Sequence, residues 1–385
     1  MKKIVEYFMT PISILGIECL SQVIHYIKPM KFRKAFIVTD KTLVENRLID
    51  ELLTLLDAAE IFYVVYKDVA PNPTVKQVEF GLKLLQDNGC DFLISFGGGS
   101  PHDCAKAIAL LSTNGGTIQD YEGLNKAKKA AAPLIAINTT AGTGSELTRF
   151  CVITDEEKHI KMTINDWHLT PIISVNDAAL MTGMPPGLTA ATGMDALTHA
   201  IEAYVSSNAT PVTDCKALKA AELVFRYLPV VHKEGTNLAA REMMVYAEYL
   251  AGISFNNAGL GYVHALAHQL GGFYNLPHGL CNALLLPAVM EFNLPVVAGK
   301  YADIAGAAGV PTAGLSSEAS AKLVIDQIKQ LNTKLDLPAK LQDVRGFNSA
   351  DIPILAEHAL KDICSVTNPR QASQAEIEEI YRLLL

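Results

Sequence analysis

The sequence predicts two successive architectures: an α/β unit built on a parallel sheet over residues 1–185, and an all-α unit over residues 186–385. Three observations carry this. Short β-branched runs alternate with helical patterns through the first half. The alternation stops at the pair Pro185-Pro186. Beyond that pair apolar residues recur at helical spacing, without extended β-patterning. A chain of 385 residues has room for two such domains. Half the residues are apolar and 19% are charged, which is the composition of folded cores rather than disorder.

The elements follow in order. Residues 35–39 (AFIVT) form a strand ending at Asp40, and 61–66 (IFYVVY) a second. Residues 91–96 (DFLISF), 133–140 (PLIAINTT) and 171–176 (PIISVN) form the third to fifth. Helical segments lie at 41–56, 75–88 and 101–111. Apolar strands alternating with helices imply a parallel sheet covered on both faces. Residues 151–154 and 159–164 read as a hairpin inserted before the fifth strand. The second half reads as helices at 188–206, 211–227, 238–255, 260–273, 281–293, 297–308, 316–335 and 352–362.

Composition excludes several classes. The net charge of −8 argues against a nucleic-acid partner, because phosphate neutralisation needs clustered Lys and Arg. The seven cysteines are odd in number and none shows CxxC spacing, so a disulfide scaffold is not expected and a reducing, cytoplasmic setting is. The N-terminal MKKIVEYFMTPISIL lacks the apolar core and small-residue site of a signal peptide. From Tyr249 to Met290 there is no Asp, Glu, Lys or Arg. That length spans a bilayer, but Asn256, Asn257, His264, His268, Asn275 and His278 are costly in lipid. The stretch reads as a buried helical region with no membrane partner.

The third strand runs into Gly97-Gly98-Gly99-Ser100-Pro101-His102-Asp103. Glycines admit an anion close to backbone N–H groups. Ser100 suits an N-cap, Pro101 the first helical position, and Asp103 an S-x-x-D capping box. The helix then points its positive end at the loop, as a pyrophosphate requires. Neither GxGxxG nor a P-loop is present. After the fourth strand, Thr139-Thr140-Ala141-Gly142-Thr143-Gly144-Ser145-Glu146 offers hydroxyls and glycines for phosphate and ribose. Two such loops on consecutive strands point to a nucleotide. Asp40 either accepts ribose hydroxyls, which favours NAD over NADP, or caps the following helix. Asn72, in Pro71-Asn72-Pro73, is ambiguous in the same way.

The second half holds a denser constellation. Asp195 and His199 are four apart on one helical face, as are His264 and His268, and His278 follows beside Gly279. A carboxylate with several imidazoles suits a divalent first-row metal such as Fe²⁺ or Zn²⁺. Spacing alone leaves open which four of the five ligate.

These segments resemble the iron-dependent (group III) alcohol dehydrogenase family. The resemblance rests on GGGSPHDCAK (97–106), NTTAGTGSE (138–146), MPPGLTAATGMDALTHAIEAY (184–204), GYVHALAHQLGGFYNLPHG (261–279) and TNPRQ (367–371). It implies an N-terminal, Rossmann-like dinucleotide-binding domain and a helical metal-binding domain, the two-domain plan of dehydroquinate synthase. The nicotinamide and the metal are expected in the cleft between them. It places Asp195, His199, His264 and His278 as metal ligands, with Fe²⁺ expected and Zn²⁺ possible, and His268 near the nicotinamide ribose as a proton relay. It puts Asp40, Asn72, Gly98, Gly99, Ser100, Thr139, Thr140, Thr148, Lys161 and Leu180 where relatives contact NAD. Phe150, Phe255 and Cys364 align with pocket-lining positions. The family includes 1,3-propanediol dehydrogenase and lactaldehyde reductase, which the chain resembles closely; propanediol dehydrogenases can carry Gln at the position of His268, so the chain looks like an ethanol-type member. Ala288 stands where many relatives carry His. The implied reaction interconverts a short-chain primary alcohol and its aldehyde with NAD, in a homo-oligomer of at least two subunits. The uncharged stretch around His264 disfavours a dehydroquinate-synthase reaction, which needs cationic groups for a carboxylate and phosphate substrate. Glycerol dehydrogenase would call for a more polar pocket. The nucleotide-type loops disfavour a non-haem iron oxygenase.

Overall fold

The computed structural model describes residues 4–158, 160–343 and 346–385. It divides into two compact units, Met1–Gly183 and Met184–Leu385.

The first unit contains strands β1 (Ile12–Gly16), β2 (Lys34–Val38), β3 (Phe62–Tyr66), β4 (Phe92–Gly97), β5 (Gly123–Leu124), β6 (Leu134–Asn138), β7 (Phe150–Asp155), β8 (Ile160–Asn165) and β9 (Ile173–Asp177). Its helices are α1 (Val23–Met30), α2 (Lys41–Glu45), α3 (Asp50–Ala58), α4 (Val75–Asp87) and α5 (Gly99–Asn114). Six strands form one sheet in the order β1-β9-β6-β4-β2-β3, and every pairing in it is parallel. Successive residues of β2 enter opposite layers. Phe36 and Val38 join the core under α4 and α5, while Ala35 and Ile37 join the core under α1 and α3. Burial on both faces is why these strands read as continuous apolar runs.

β3 and β4 flank β2 on opposite sides, so the chain reverses direction between the carboxyl ends of β2 and β4. Ligands of open α/β sheets bind at that reversal. Asp40 and the loop at Gly97 lie there. β4 and β6 pair in register from Leu93↔Leu134 to Gly97↔Asn138, which sets their two polar loops side by side.

Several expectations are corrected. β1 was not anticipated; it is an edge strand, half-buried at every position, so its pattern is weak. The helix expected over 41–56 is two, because Arg47 adopts φ +60° between α2 and α3. The expected hairpin is present as antiparallel β7 and β8, joined by β5 in a second sheet; His159 lies outside the described residues.

The second unit contains α6 (Pro186–Val205), α7 (Pro211–Lys233), α8 (Leu238–Ala258), α9 (Tyr262–Tyr274), α10 (His278–Ala307), α11 (Ser317–Lys334), α12 (Ile352–Lys361) and α13 (Gln374–Arg382). Among the described residues it has no strand. The segments expected at 281–293 and 297–308 are joined in α10, which breaks its helical geometry at Val297 (φ −130°, ψ 22°), two residues after Pro295. This is the one described helix long and apolar enough to cross a membrane, and 61% of its most apolar window is buried within the protein. α10 packs on α6, α9 and α11.

Candidate active site

In the first unit the glycine loop is shaped by its neighbour. Gly97 has φ +151°, a conformation that favours glycine, and a Cβ there would stand 2.6 Å from the Pro101 ring. A Cβ on Gly98 would lie 2.9 Å from the Thr140 side chain, and one on Gly99 2.9 Å from that of Thr143. Only glycines let the two loops approach this closely. Ser100 is not the N-cap expected. α5 starts at Gly99 with Gly98 as its cap, and Ser100 sits in the first turn. Asp103 closes no capping box either: its carboxylate accepts from Ser145 Oγ (2.6 Å) and the Val152 amide (3.0 Å). One turn on, the buried Lys106 Nζ donates to Ser145 Oγ, Thr148 Oγ1 and the Phe150 carbonyl. Burial pushes the Lys106 amine below its ordinary range and the Asp103 carboxyl above its own. This pair, absent from the expected site, ties α5 to the second loop.

The other candidate nucleotide contacts sit as follows. Thr139 is buried, and its amide donates to the Gly97 carbonyl (3.0 Å). Asp40 caps α2 by accepting from the Leu43 amide (3.0 Å), so one of its two readings is realised structurally. Asn72 and Lys161 come together, Lys161 Nζ donating to Asn72 Oδ1 at 2.8 Å. Thr148 is buried against Lys106, and Leu180 is packed in the core beside Ile173 and Val175. Phe150 lies on β7 of the first unit.

In the second unit α6 carries Asp195 and His199, α9 carries His264 and His268, and α10 begins at His278. Asp195, His199, His264 and His278 offer donor atoms that all lie within 4.8 Å of one another. Asp195 Oδ1 is 3.8 Å from His199 Nε2, 3.7 Å from His264 Nε2 and 3.6 Å from His278 Nε2. Asp195, His199 and His264 are buried, and His278 is half-buried, leaving one wet side. Burial disfavours charge on Asp195, yet His199, His278 and His264 hold its carboxyl well below the usual range. Burial likewise opposes charge on His264, but Glu202 and Asp195 raise its pKa to about 9. The pocket therefore stabilises positive charge, and the donor set of one oxygen and three imidazole nitrogens fits a divalent transition metal.

Three neighbours escaped the sequence reading. Glu202 Oε2 accepts from His264 Nδ1 at 2.6 Å. It stands at i+7 from Asp195, so the 195/199/202 spacing on one helix face was the available signal. Asn282 donates from Nδ2 to Asp195 Oδ1 at 2.6 Å and stands one turn beyond His278. Asp362 accepts from His268 Nδ1 at 2.8 Å and had no sequence signal. His268 is buried, with its ring stacked 5.5 Å from that of His278. Phe255 stacks on His199 at 4.2 Å, and Cys364 groups with His268 and Asp362.

A sheet whose reversal point carries two glycine-built loops, and a helical unit with a buried Asp/His₃ pocket, fit a nucleotide-using, metal-assisted enzyme. The chain belongs to the iron-containing alcohol dehydrogenase family: residues 11–178 match the model for iron-containing alcohol dehydrogenase and residues 189–385 that for the C-terminal part of the Fe-containing family. It is 48% identical to alcohol dehydrogenase 4 of Schizosaccharomyces pombe, covering 98% of this chain and 88% of that one. It is 42% identical to the NAD-dependent methanol dehydrogenase of Bacillus methanolicus, covering 98% and 99%. The crystal structure of a 1,3-propanediol oxidoreductase matches with a TM-score of 0.97 at 43% identity over all of both chains. The protein is an alcohol dehydrogenase of the iron-containing type, interconverting alcohols and aldehydes.

Proposed function

We propose that this enzyme interconverts a short-chain primary alcohol and its aldehyde, with NAD held by the first unit and Fe²⁺ held by Asp195, His199, His264 and His278 of the second. The observation that carries the reading is the convergence of those four donors from three helices onto one buried point. When bound, the ion supplies Lewis acidity toward the substrate oxygen, and the nicotinamide accepts or returns the hydride. Zn²⁺ satisfies the same donor set and is the competing occupant.

The chain's own residues do the rest. Gly98 and Gly99 let a diphosphate approach the start of α5, whose amides and dipole face it. Ser100, Thr139, Thr140 and Thr148 offer hydroxyls nearby. Asp40 keeps one carboxylate oxygen for a ribose hydroxyl while the other caps α2, and Asn72 with Lys161 forms a polar pair for the same cofactor. Leu180 supplies an apolar wall. His268 donates Nδ1–H to Asp362, so Nε2 is the nitrogen left to pass a proton between substrate and solvent. Phe255 and Cys364 stand beside these imidazoles and are the second unit's candidates for an apolar wall that selects small alcohols, and Phe150, on β7, is the first unit's candidate. The reading includes a homo-oligomer of at least two subunits in the cytoplasm.

Elemental analysis of protein purified without oxygen, paired with NADH absorbance over short alcohols and diols, tests the proposal. One bound iron per chain with NADH formation is expected. Turnover in fully metal-depleted protein overturns it.

A further inference from the structure

Building on the Asp/His₃ reading, we propose that Glu202 is a positioning residue of the metal centre. It fixes His264 in the tautomer that points a lone pair at the ion, and the segment at 367–371 exists in part to hold it there. Glu202 is itself buried, and both of its oxygens are engaged. Oε2 accepts from His264 Nδ1 at 2.6 Å, and Oε1 accepts from the Val263 amide at 2.7 Å. The second contact satisfies one of the N–H groups that the start of α9 leaves without a helical partner. One carboxylate thus clamps both the backbone and the imidazole of the same turn. With Nδ1–H committed to Glu202, only Nε2 remains to ligate, and a partner on the far nitrogen raises ligand basicity.

A separate set of contacts keeps this clamp in register. A Cβ on Gly261 would lie 2.9 Å from Glu202 Oε1 and 2.8 Å from Asn368 Oδ1, so a side chain there would push the carboxylate away. Asn368 Oδ1 accepts from the Tyr262 amide at 3.2 Å, beside the amide that Glu202 takes. Asn368 and Asn293 of α10 exchange amide hydrogen bonds at 2.8 and 3.1 Å. The Ala372 amide donates to Tyr262 Oη at 3.0 Å, and Thr367 Oγ1 donates to the Leu260 carbonyl at 2.5 Å. The TNPRQ segment, otherwise without a role in the chemistry, therefore fastens the N-terminus of α9 onto α10. Glu202 ties the same turn of α9 to α6.

The test uses full-length protein stripped by chelator and then titrated with Zn²⁺ or Co²⁺ against a chromophoric competitor. In Glu202→Gln the single amide oxygen can serve only one of the two N–H donors. In Gly261→Ala every donor and acceptor remains but the carboxylate is displaced. Both variants are expected to bind metal ~10–100-fold more weakly, to show an altered visible Co²⁺ spectrum, and to regain turnover as metal is added. A Glu202→Asp variant, with the charge kept but the reach shortened, should fall between them and wild type. A role in packing alone predicts lower melting temperatures with unchanged metal affinity and spectrum. That pattern, or affinities within twofold of wild type in every folded variant, overturns the assignment. If instead wild type takes up no ion, or His264→Gln retains full uptake, the ligand reading itself has failed.

Discussion

Gly279, the second residue of α10, faces Ala191 on α6, and replacing it with alanine would force the two helices apart at the metal pocket. A Cβ at this position would stand 2.7 Å from the Ala191 carbonyl carbon, nearer still to its oxygen, and 3.3 Å from its Cα. Carbon–carbon contacts settle at about 3.5–4.0 Å, and the obstacle is backbone rather than a mobile side chain, so the gap must open by roughly 1 Å. His278 immediately precedes Gly279, and Asp195 is one turn beyond Ala191. The opening therefore falls between two donors now 3.6 Å apart. Metal–ligand distances tolerate deviations of only about 0.2 Å. We expect Gly279→Ala to lose about 1–3 kcal/mol of stability through overpacking. Misplacement of this size should lower metal affinity or kcat/KM by on the order of 10²-fold. Gly187→Ala is the control. It lies in the same helix as Asp195 but faces open space, so it should gain about 0.5–1 kcal/mol from lost backbone freedom with metal binding unchanged. The assay is chelator competition on stripped protein together with thermal unfolding. Wild-type metal affinity in Gly279→Ala would refute the claim that α6–α10 contact sets the geometry of the pocket.

Gly98→Ala and Gly99→Ala should each weaken NADH binding by about tenfold or more, equal to ~1.4 kcal/mol, because the new methyl enters the space of Thr140 or Thr143. Fluorescence titration checks this, and metal content should be unaffected. His268→Ala should retain its metal while kcat falls by ~10²–10⁴-fold, with partial rescue by added imidazole; loss of metal in this variant would make His268 a ligand. Lys106→Met removes the largest favourable charge acting on the buried Asp103, whose hydrogen bonds from Ser145 and Val152 remain, and should destabilise the protein by about 1–3 kcal/mol near neutral pH. The sign with pH follows from burial, which already raises the Asp103 pKa. A carboxyl with a raised folded pKa contributes fully below its unfolded value and loses that contribution as pH rises. The melting deficit of Lys106→Met should therefore shrink as the pH is lowered toward about 4, and a deficit that grows on acidification would contradict it.

Much of this was legible in the sequence, for identifiable reasons. The strands buried on both faces, such as residues 92–97, show as largely apolar runs, and their alternation with helices implies a parallel sheet but not the strand order. The constellation of Asp195, His199, His264, His268 and His278 was legible because i,i+4 spacing maps onto a helix face, but spacing did not choose four ligands among the five; the family resemblance did. What escaped depends on contacts distant in sequence. β1 is half-buried and has no alternation to read. The capping assignment at Ser100 failed because Asp103 finds better partners in Ser145 and Val152, some 40 to 50 residues away. Asp362 reaches His268 across a sequence separation of 94 residues. Glu202 is the exception: it shared the face of Asp195 and His199 and could have been read.

The uncharged stretch from Tyr249 to Met290 takes on a different meaning beside this site. It supplies the end of α8, all of α9 and the start of α10, including His264, His268 and His278. Its lack of charge suits the site it surrounds rather than a lipid environment. Two unit charges 4 Å apart interact by about 4 kcal/mol at an effective dielectric of 20. A lysine on these helices near the donors would repel a divalent cation by roughly twice that, again at dielectric 20. A carboxylate beside the donors would attract the ion as strongly, but would draw off the positive charge that polarises a substrate oxygen. Glu202 and Asp362, which do approach, both come from outside the stretch. Each is bound to the Nδ1 of an imidazole, so its charge acts through the ring rather than among the donor atoms. Introducing a carboxylate within the stretch, as in Asn282→Asp beside Asp195, should therefore tighten metal binding while lowering kcat. A variant that bound more tightly and turned over as fast as wild type would show that the pocket's net charge does not govern its Lewis acidity.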